Sequence, residues 1–376
     1  MSILYKGTAC PFPGCDAAVQ LSPDRVGTPI RLLQLTDMQM IDASQRRTPD
    51  RLRPDEIAAW DPSQMDAQCA AHIRSVITQT NPDLIFITGD ITYGSFDDSG
   101  DTLLWFCRLM EEFGIPWAPI FGNHDNESKK GVDWQCAQLE SCPHCLFASG
   151  HVTGNSNYTV GIAVGDTLVR VLHMTDTNGC HTENEPSVQS KAGIYPDQIA
   201  RIAEVSEKIR TSAGRTVPAF FACHIPTVEF THAETEKGYS TPGHIQYTLG
   251  VTVPAENGDF GSRLEKMNPI DAGKDFLPTL QNCGVDGVFF GHCHRISVSM
   301  LYRGIRWTFG LKTGQYDYHL PGLNGGTLVT LTGDDFTVQH IPSLAPLAPY
   351  PGGGFIFQNF FAPGTVIDKQ IAEELI

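Results

Sequence analysis

Leu84-Ile85-Phe86-Ile87-Thr88 runs directly into Gly89-Asp90-Ile91-Thr92-Tyr93-Gly94. A short apolar run closed by turn residues reads as a buried strand, and this one ends on a carboxylate. The pattern recurs on both sides of it. Ile30–Leu35 leads into Thr36-Asp37-Met38-Gln39, and Trp117–Phe121 into Gly122-Asn123-His124-Asp125. Farther on, Val217–Ala222 leads into Cys223-His224-Ile225-Pro226, and Gly287–Phe290 into Gly291-His292-Cys293-His294.

Helical periods lie between these strands. Met65, Cys69, Ile73, Val76 and Ile77 form one stripe over Ser63–Thr80, the spacing of an amphipathic helix. Pro82 ends it. Further helices are expected over Thr102–Phe113 and Pro196–Arg210, the second opened by Pro196 and Asp197. Strands alternating with helices make an α/β sheet, and such sheets bind ligands beyond the carboxyl ends of their strands. The five clusters are therefore expected to meet at one sheet edge. Tyr158–Ile162 and Thr167–Met174 alternate like antiparallel strands, while Val298–Tyr302, Arg306–Phe309 and Thr327–Thr332 read as hairpin strands. Two sheets face to face, with helices outside, fit this order. The boundaries expected are 1–29 for an N-terminal extension, 30–342 for the domain and 343–376 for a tail wrapping the body. Residues 229–271 lack any period and read as an insert or cap loop, a kind of segment that is usually functional when it is this long.

Composition removes several classes. The chain has 376 residues, 41% hydrophobic and 18% charged, which excludes intrinsic disorder. Its 36 glycines and 25 prolines follow no period, which excludes collagen-like and low-complexity chains. No apolar run approaches the ~18 residues of a membrane span. With 26 basic against 42 acidic residues the formal charge is −16, so there is no basic footprint for nucleic acid or anionic lipid. The first thirteen residues have neither a basic region nor a continuous apolar one, so a cytoplasmic location without a secretory signal is expected. Cys136, Cys142 and Cys145, with His144 among them, admit a structural zinc, a local disulfide or plain thiols.

The strand ends collect Asp37, Asp90, Asn123, His124, His224, His292 and His294. Carboxylate and amide oxygens mixed with imidazoles suit zinc, manganese or iron, and match calcium or a thiolate site poorly. One aspartate can bridge two ions, and two ions ~3.5–4 Å apart clamp the entering and leaving oxygens of a phosphoryl group. Such ions also supply the positive charge that the chain as a whole lacks.

In these blocks the chain resembles the calcineurin-like metallophosphoesterases, whose run is Asp-x-His, Gly-Asp-x-x, Gly-Asn-His-(Asp/Glu), a lone His and Gly-His-x-His. Here they stand in the same order as Asp37-Met38-Gln39, Gly89-Asp90, Gly122-Asn123-His124-Asp125, His224 and Gly291-His292-Cys293-His294. Phe121–Ser128 and His224-Ile225-Pro226 look like the branch near the purple acid phosphatases. The resemblance implies a four-layer α-β-β-α sandwich, two mixed sheets flanked by helices. It implies a first metal position made by Asp37, Asp90 and His294, and a second made by the bridging Asp90 with Asn123, His224 and His292. His124 would stand beside the scissile phosphate, oriented by Asp125, with a metal-bound hydroxide as nucleophile.

One departure stands out. The family usually has His two residues after the first Asp, and this chain has Gln39. Purple acid phosphatases also lack that His and use a Tyr in Gly-Asp-x-x-Tyr, which here is Tyr93. Either Tyr93 binds the first ion as a tyrosinate, favouring ferric iron, or it packs while Gln39 binds weakly through its amide oxygen or not at all. The cofactor expected is a pair of di- or trivalent ions, iron with iron, zinc or manganese. His319 is a candidate substrate contact. The function expected is hydrolysis of a small phosphomonoester, with a cyclic-nucleotide or other phosphodiesterase as the alternative. A reading of another class is a non-hydrolytic metal-binding scaffold or a redox-active diiron protein. No membrane partner is expected, and the acidic surface disfavours nucleic acid.

Overall fold

The computed structural model describes residues 2–45, 47, 62–150, 152–179, 191–239, 258–263, 265–317, 319 and 324–346. In chain order its first half contains β1 (Ile3–Lys6), β2 (Ala17–Leu21), β3 (Ile30–Leu35), α1 (Pro62–Thr80), β4 (Leu84–Thr88), α2 (Asp101–Glu112), β5 (Trp117–Ile120), α3 (Val132–Ser141), β6 (Tyr158–Val164) and β7 (Thr167–Met174). The second half contains α4 (Pro196–Ala213), β8 (Ala219–Ala222), α5 (Val228–Glu236), α6 (Phe276–Asn282), β9 (Val285–Phe290), β10 (Ser299–Tyr302), β11 (Ile305–Phe309), β12 (Gly325–Thr332) and β13 (Asp335–Pro342).

The strands form two mixed sheets, one ordered β13-β12-β3-β4-β5 and the other β1-β2-β6-β7-β8-β9-β11-β10. Alternation along β8 shows how they stack. Phe220 and Ala222 face the core shared with the five-stranded sheet, whereas Ala219 and Phe221 face the core beneath α4, α5 and α6, as the two-residue period of a strand requires. Across the shared core Phe86 of β4 meets Phe289 of β9 edge-on, with ring centroids 5.2 Å apart. The stripe on α1 is buried against the outer face of the five-stranded sheet, with Ile73 and Val76 fully covered. Helices therefore cover both outer faces, giving the four-layer sandwich. No helix among the described residues is long and apolar enough to cross a membrane.

Two boundary expectations change. Residues 1–29 are not an extension, because β1 and β2 are strands of the larger sheet and β2 runs parallel to β6 (Ala17↔Val160). Ala17, Val19 and Leu21 point into the shared core, but a run this short, with Gln20 inside it, is weak as a sequence signal. The flanks of 229–271 are ordered parts of the body: α5 places Phe230 against Phe290 and Phe309, and Phe260 and Arg263 bridge to Ser299 and Ile296. Positions 240–257 and 264 of that segment lie outside the described residues. So does the tail beyond 346, while Ser343 bonds His72 of α1 at 2.8 Å. Cys136, Cys142 and Cys145 are separate buried thiols, and the His144 ring bonds Glu111 at 2.6 Å.

His340 ties the two sheets together. Its Nε2 donates to the Ser297 carbonyl at 2.7 Å and its Nδ1 accepts from the Thr327 hydroxyl at 2.9 Å. Burial pushes its pKa down from 6.5 to about 4, despite the opposing Ser297 bond. The unfolded chain therefore binds a proton that the folded one refuses between those values, so stability is complete above pH 6.5 and falls as pH drops towards 4. At about 1.4 kcal/mol per pKa unit, the loss from this residue reaches about 3 kcal/mol. Urea unfolding at pH 7 and pH 4.5 measures it, and His340→Asn is expected to flatten the dependence. An unchanged slope in that variant counts against the assignment.

Candidate metal centre

Parallel pairing brings the polar clusters together. β3, β4 and β5 are parallel neighbours (Leu32↔Leu84, Ile85↔Trp117), so the loops holding Asp37, Asp90 and Asn123 leave from one edge. β8 and β9 are parallel neighbours in the other sheet and deliver His224, His292 and His294. The clusters thus converge where the edges of two sheets meet, not on one sheet. The loops interlock through Asp37 N–H to Gly89 O at 3.1 Å, Gln39 N–H to Asp90 O at 2.9 Å and Gly291 N–H to His224 O at 3.0 Å.

This convergence carries backbone strain. Asp37, Gln39, Asp90 and His292 have φ of 51°, 46°, 52° and 70°, the left-handed region that side chains other than glycine enter at a cost of about 1–3 kcal/mol each. Two glycines permit the close approach. A methyl at Gly122 would overlap the Asp90 carboxylate, and one at Gly291 would overlap the Thr36 hydroxyl.

At the second position acceptors converge. His224 Nδ1 donates to the Thr88 carbonyl at 2.7 Å, which leaves Nε2 as the nitrogen facing Asn123 Oδ1 at 3.2 Å and Asp90 Oδ1 at 3.3 Å. His292 Nδ1 stands 2.9 Å from the same Asn123 oxygen. A carbonyl that holds an imidazole tautomer so that its other nitrogen points at oxygens is the usual support of a metal ligand. Burial works against charge on His224, but Asp90, Asp37 and the Thr88 carbonyl outweigh it and raise its pKa to about 9. The pocket demands positive charge, and the donor set fits a divalent ion. Ligand atoms of Asp37, Asp90 and His224 lie within 4.8 Å of one another.

The first position is built differently. His294 Nε2 is 3.4 Å from Asp37 Oδ1. The Asp37 carboxylate also accepts from the Thr36 hydroxyl at 2.7 Å and the His292 N–H at 3.0 Å. Burial pushes Asp37 up, yet the His294 bond and the His224 and His294 fields hold it at about 2. Gln39 is fully buried here. Its Nε2 lies 3.2 Å from both Asp90 Oδ2 and His294 Nε2, and its Oε1 accepts from Lys312 Nζ at 2.8 Å. Lys312, also buried, donates to the Asp37 carbonyl at 2.9 Å.

The sequence profile of the calcineurin-like phosphoesterases matches residues 30–151. An Arabidopsis thaliana protein named "Probable inactive purple acid phosphatase 14" is 32% identical over 315 residues, covering 78% of this chain and 72% of that protein. The chain belongs to the calcineurin-like phosphoesterase family. The chain is also similar to "Phosphatase DCR2" of Saccharomyces cerevisiae, at 28% identity over 264 residues, 64% of this chain and 40% of the yeast protein. It therefore spans well under half of that relative's length. Among solved structures, a dimetal phosphatase from Danio rerio aligns with a TM-score of 0.49 at 10% identity, covering 85% of this chain and 99% of that one.

Within the candidate site two residues depart from expectation. Asp125 does not orient His124; its carboxylate accepts from the backbone N–H groups of Gly122 at 2.8 Å and Thr92 at 2.9 Å, clamping the loops after β4 and β5. Burial and the nearby Asp90 raise it to about 7, with those N–H bonds opposing. The residue that holds His124 is Glu127, at 2.8 Å from Nδ1. The two differ because Asp125 opens a short turn, Asp125–Glu127, which directs the third residue back to the ring. Tyr93 lies with its ring against His124, centroids 4.4 Å apart, and against Phe96 at 5.1 Å. His319 is buried beside Asp317, whose carbonyl is 3.1 Å from Nδ1, and burial lowers its pKa to about 3. Lys312 was not legible as a site residue. A single lysine in the apolar run Trp307–Leu311 onward was its only signal.

Proposed function

We propose that this chain hydrolyses a small phosphomonoester at the centre where its two sheet edges meet. The observation that carries this reading is the pairing of a fitted ion position with a separately braced histidine. Ions of zinc, manganese or iron suit the mixed imidazole and oxygen donors, and when bound they supply Lewis acidity and acidify a water. The remaining tasks fall to the chain. The His124 backbone N–H donates to Asp90 Oδ1 at 2.9 Å, which locks the residue to the metal-binding loop. Glu127 takes Nδ1, so Nε2 is the nitrogen that stabilises charge on the phosphate or protonates the leaving oxygen. The Tyr93 ring behind it fixes the tilt of the imidazole.

The phosphatase names of the yeast and plant relatives favour a monoester over a diester. Comparing p-nitrophenyl phosphate with bis(p-nitrophenyl) phosphate tests this. A kcat/KM at least about tenfold higher for the monoester, a difference of about 1.4 kcal/mol in transition-state stabilisation, is expected. The reverse ratio makes the chain a phosphodiesterase. No turnover of either favours the metal-binding scaffold, a reading to which the word "inactive" in the plant relative's name gives some weight.

A further inference from the structure

Gln39 occupies the position at which the family carries a metal-binding histidine, and its amide has a definite direction. An ammonium has only hydrogens to offer, so the group facing Lys312 at 2.8 Å is the amide oxygen. The NH2 group therefore faces Asp90 Oδ2 and His294 Nε2, at 3.2 Å from each. An amide NH2 has no lone pair for a metal. The nitrogen instead stands against two atoms, Asp90 Oδ2 and His294 Nε2, that a first ion would use. Asp37 Oδ2 is held by the Thr36 hydroxyl and the His292 N–H. Lys312 brings a cationic group into a pocket closed to solvent and anchors itself to the Asp37 carbonyl at 2.9 Å. At the second position it is instead an amide oxygen, Asn123 Oδ1, that faces the ring nitrogens of His224 and His292, at 3.2 and 2.9 Å.

We propose that the Gln39–Lys312 pair stands in for the first metal ion in this chain, so that the protein holds one ion, at Asp90, Asn123, His224 and His292. This rests on the second position being a metal site, as in the function proposed above. The pair fills the first position with donors and a positive charge, and so keeps Asp37, Asp90 and His294 in place without a metal.

The full-length chain, stripped with a chelator, reloaded with Mn²⁺ or Zn²⁺ and desalted, is analysed for ion content, with affinities from calorimetry. One ion per chain is expected for the wild type and two for Gln39→His, which replaces the NH2 with an imidazole lone pair. Lys312→Met releases the amide to turn its oxygen inward, and is expected to strengthen binding of a second ion by about tenfold or more. If Lys312→Met does not fold, the Gln39→His comparison alone decides. Two ions in the wild type with affinities within about tenfold of each other overturn the inference, as does one ion in both the wild type and Gln39→His. No ion in either protein overturns the metal reading of the whole centre. Turnover is not part of the readout, so a protein that hydrolyses nothing still decides the question.

Discussion

His124→Asn is expected to lower kcat for a phosphomonoester by about 10²–10⁴-fold, the range that a positioned general acid contributes, with little change in KM. The substitution keeps the backbone N–H bonded to Asp90 at 2.9 Å, so the metal-binding loop is undisturbed. What disappears is the imidazole held by Glu127 at 2.8 Å and backed by Tyr93 at 4.4 Å. Because the chemistry lost is proton transfer or charge stabilisation at the phosphate, ion content is expected to stay at the wild-type value. Glu127→Gln retains the ring but weakens the hold on Nδ1 and removes a negative charge beside it, so a smaller loss with an altered pH profile is expected. Steady-state kinetics and elemental analysis on the same preparations check both. A His124→Asn enzyme within about threefold of wild type would falsify the assignment, since a positioned general acid typically contributes about 10²-fold or more.

The second large effect is at Asp90. Its Oδ1 accepts from the His124 N–H at 2.9 Å and lies 3.3 Å from His224 Nε2, while its Oδ2 accepts from Gln39 at 3.2 Å. Burial opposes its charge, but the fields of His224 and His124 hold its pKa well below the ordinary value. Asp90→Asn removes that charge with almost no change of shape. The ion position then loses its anionic ligand, and His224 loses the main partner that keeps its pKa high. No ion is expected to survive desalting, and activity is expected to fall by more than ~100-fold, the most that loss of a ligand's mere support costs. A variant that retains its ion after desalting would show that Asp90 is not a ligand.

Much of the architecture was legible because it rests on local patterns. The strands β3, β4, β5, β8 and β9 are short apolar runs closed by polar clusters, and their ends carry the residues proposed as ligands. The stripe on α1 has a helical period. β1 and β2 were missed because a strand of four or five residues with a polar residue inside it gains its identity from its partner, here β6. Asp125 was misread for a related reason. Its neighbour in sequence is His124, but its hydrogen-bond partners, Thr92 and Gly122, come from two strand ends, and only the turn over Asp125–Glu127 makes Glu127 the ring's partner.

The identity and order of Asp37, Asp90, Asn123, His124, His224, His292 and His294 already pointed to the metal-supported phosphoester site proposed here, because donor type and strand-end placement are properties of the chain. The replacement at Gln39 was visible too, but not its consequence. A glutamine can offer either an oxygen or an NH2 group to a metal position, and nothing in the residues beside it chooses between them. The choice was made by Lys312, 273 positions away, which reaches Gln39 only because β3 and β11 end at the same place in the folded molecule. Its hydrogens require the amide oxygen, and the metal position is left facing the nitrogen.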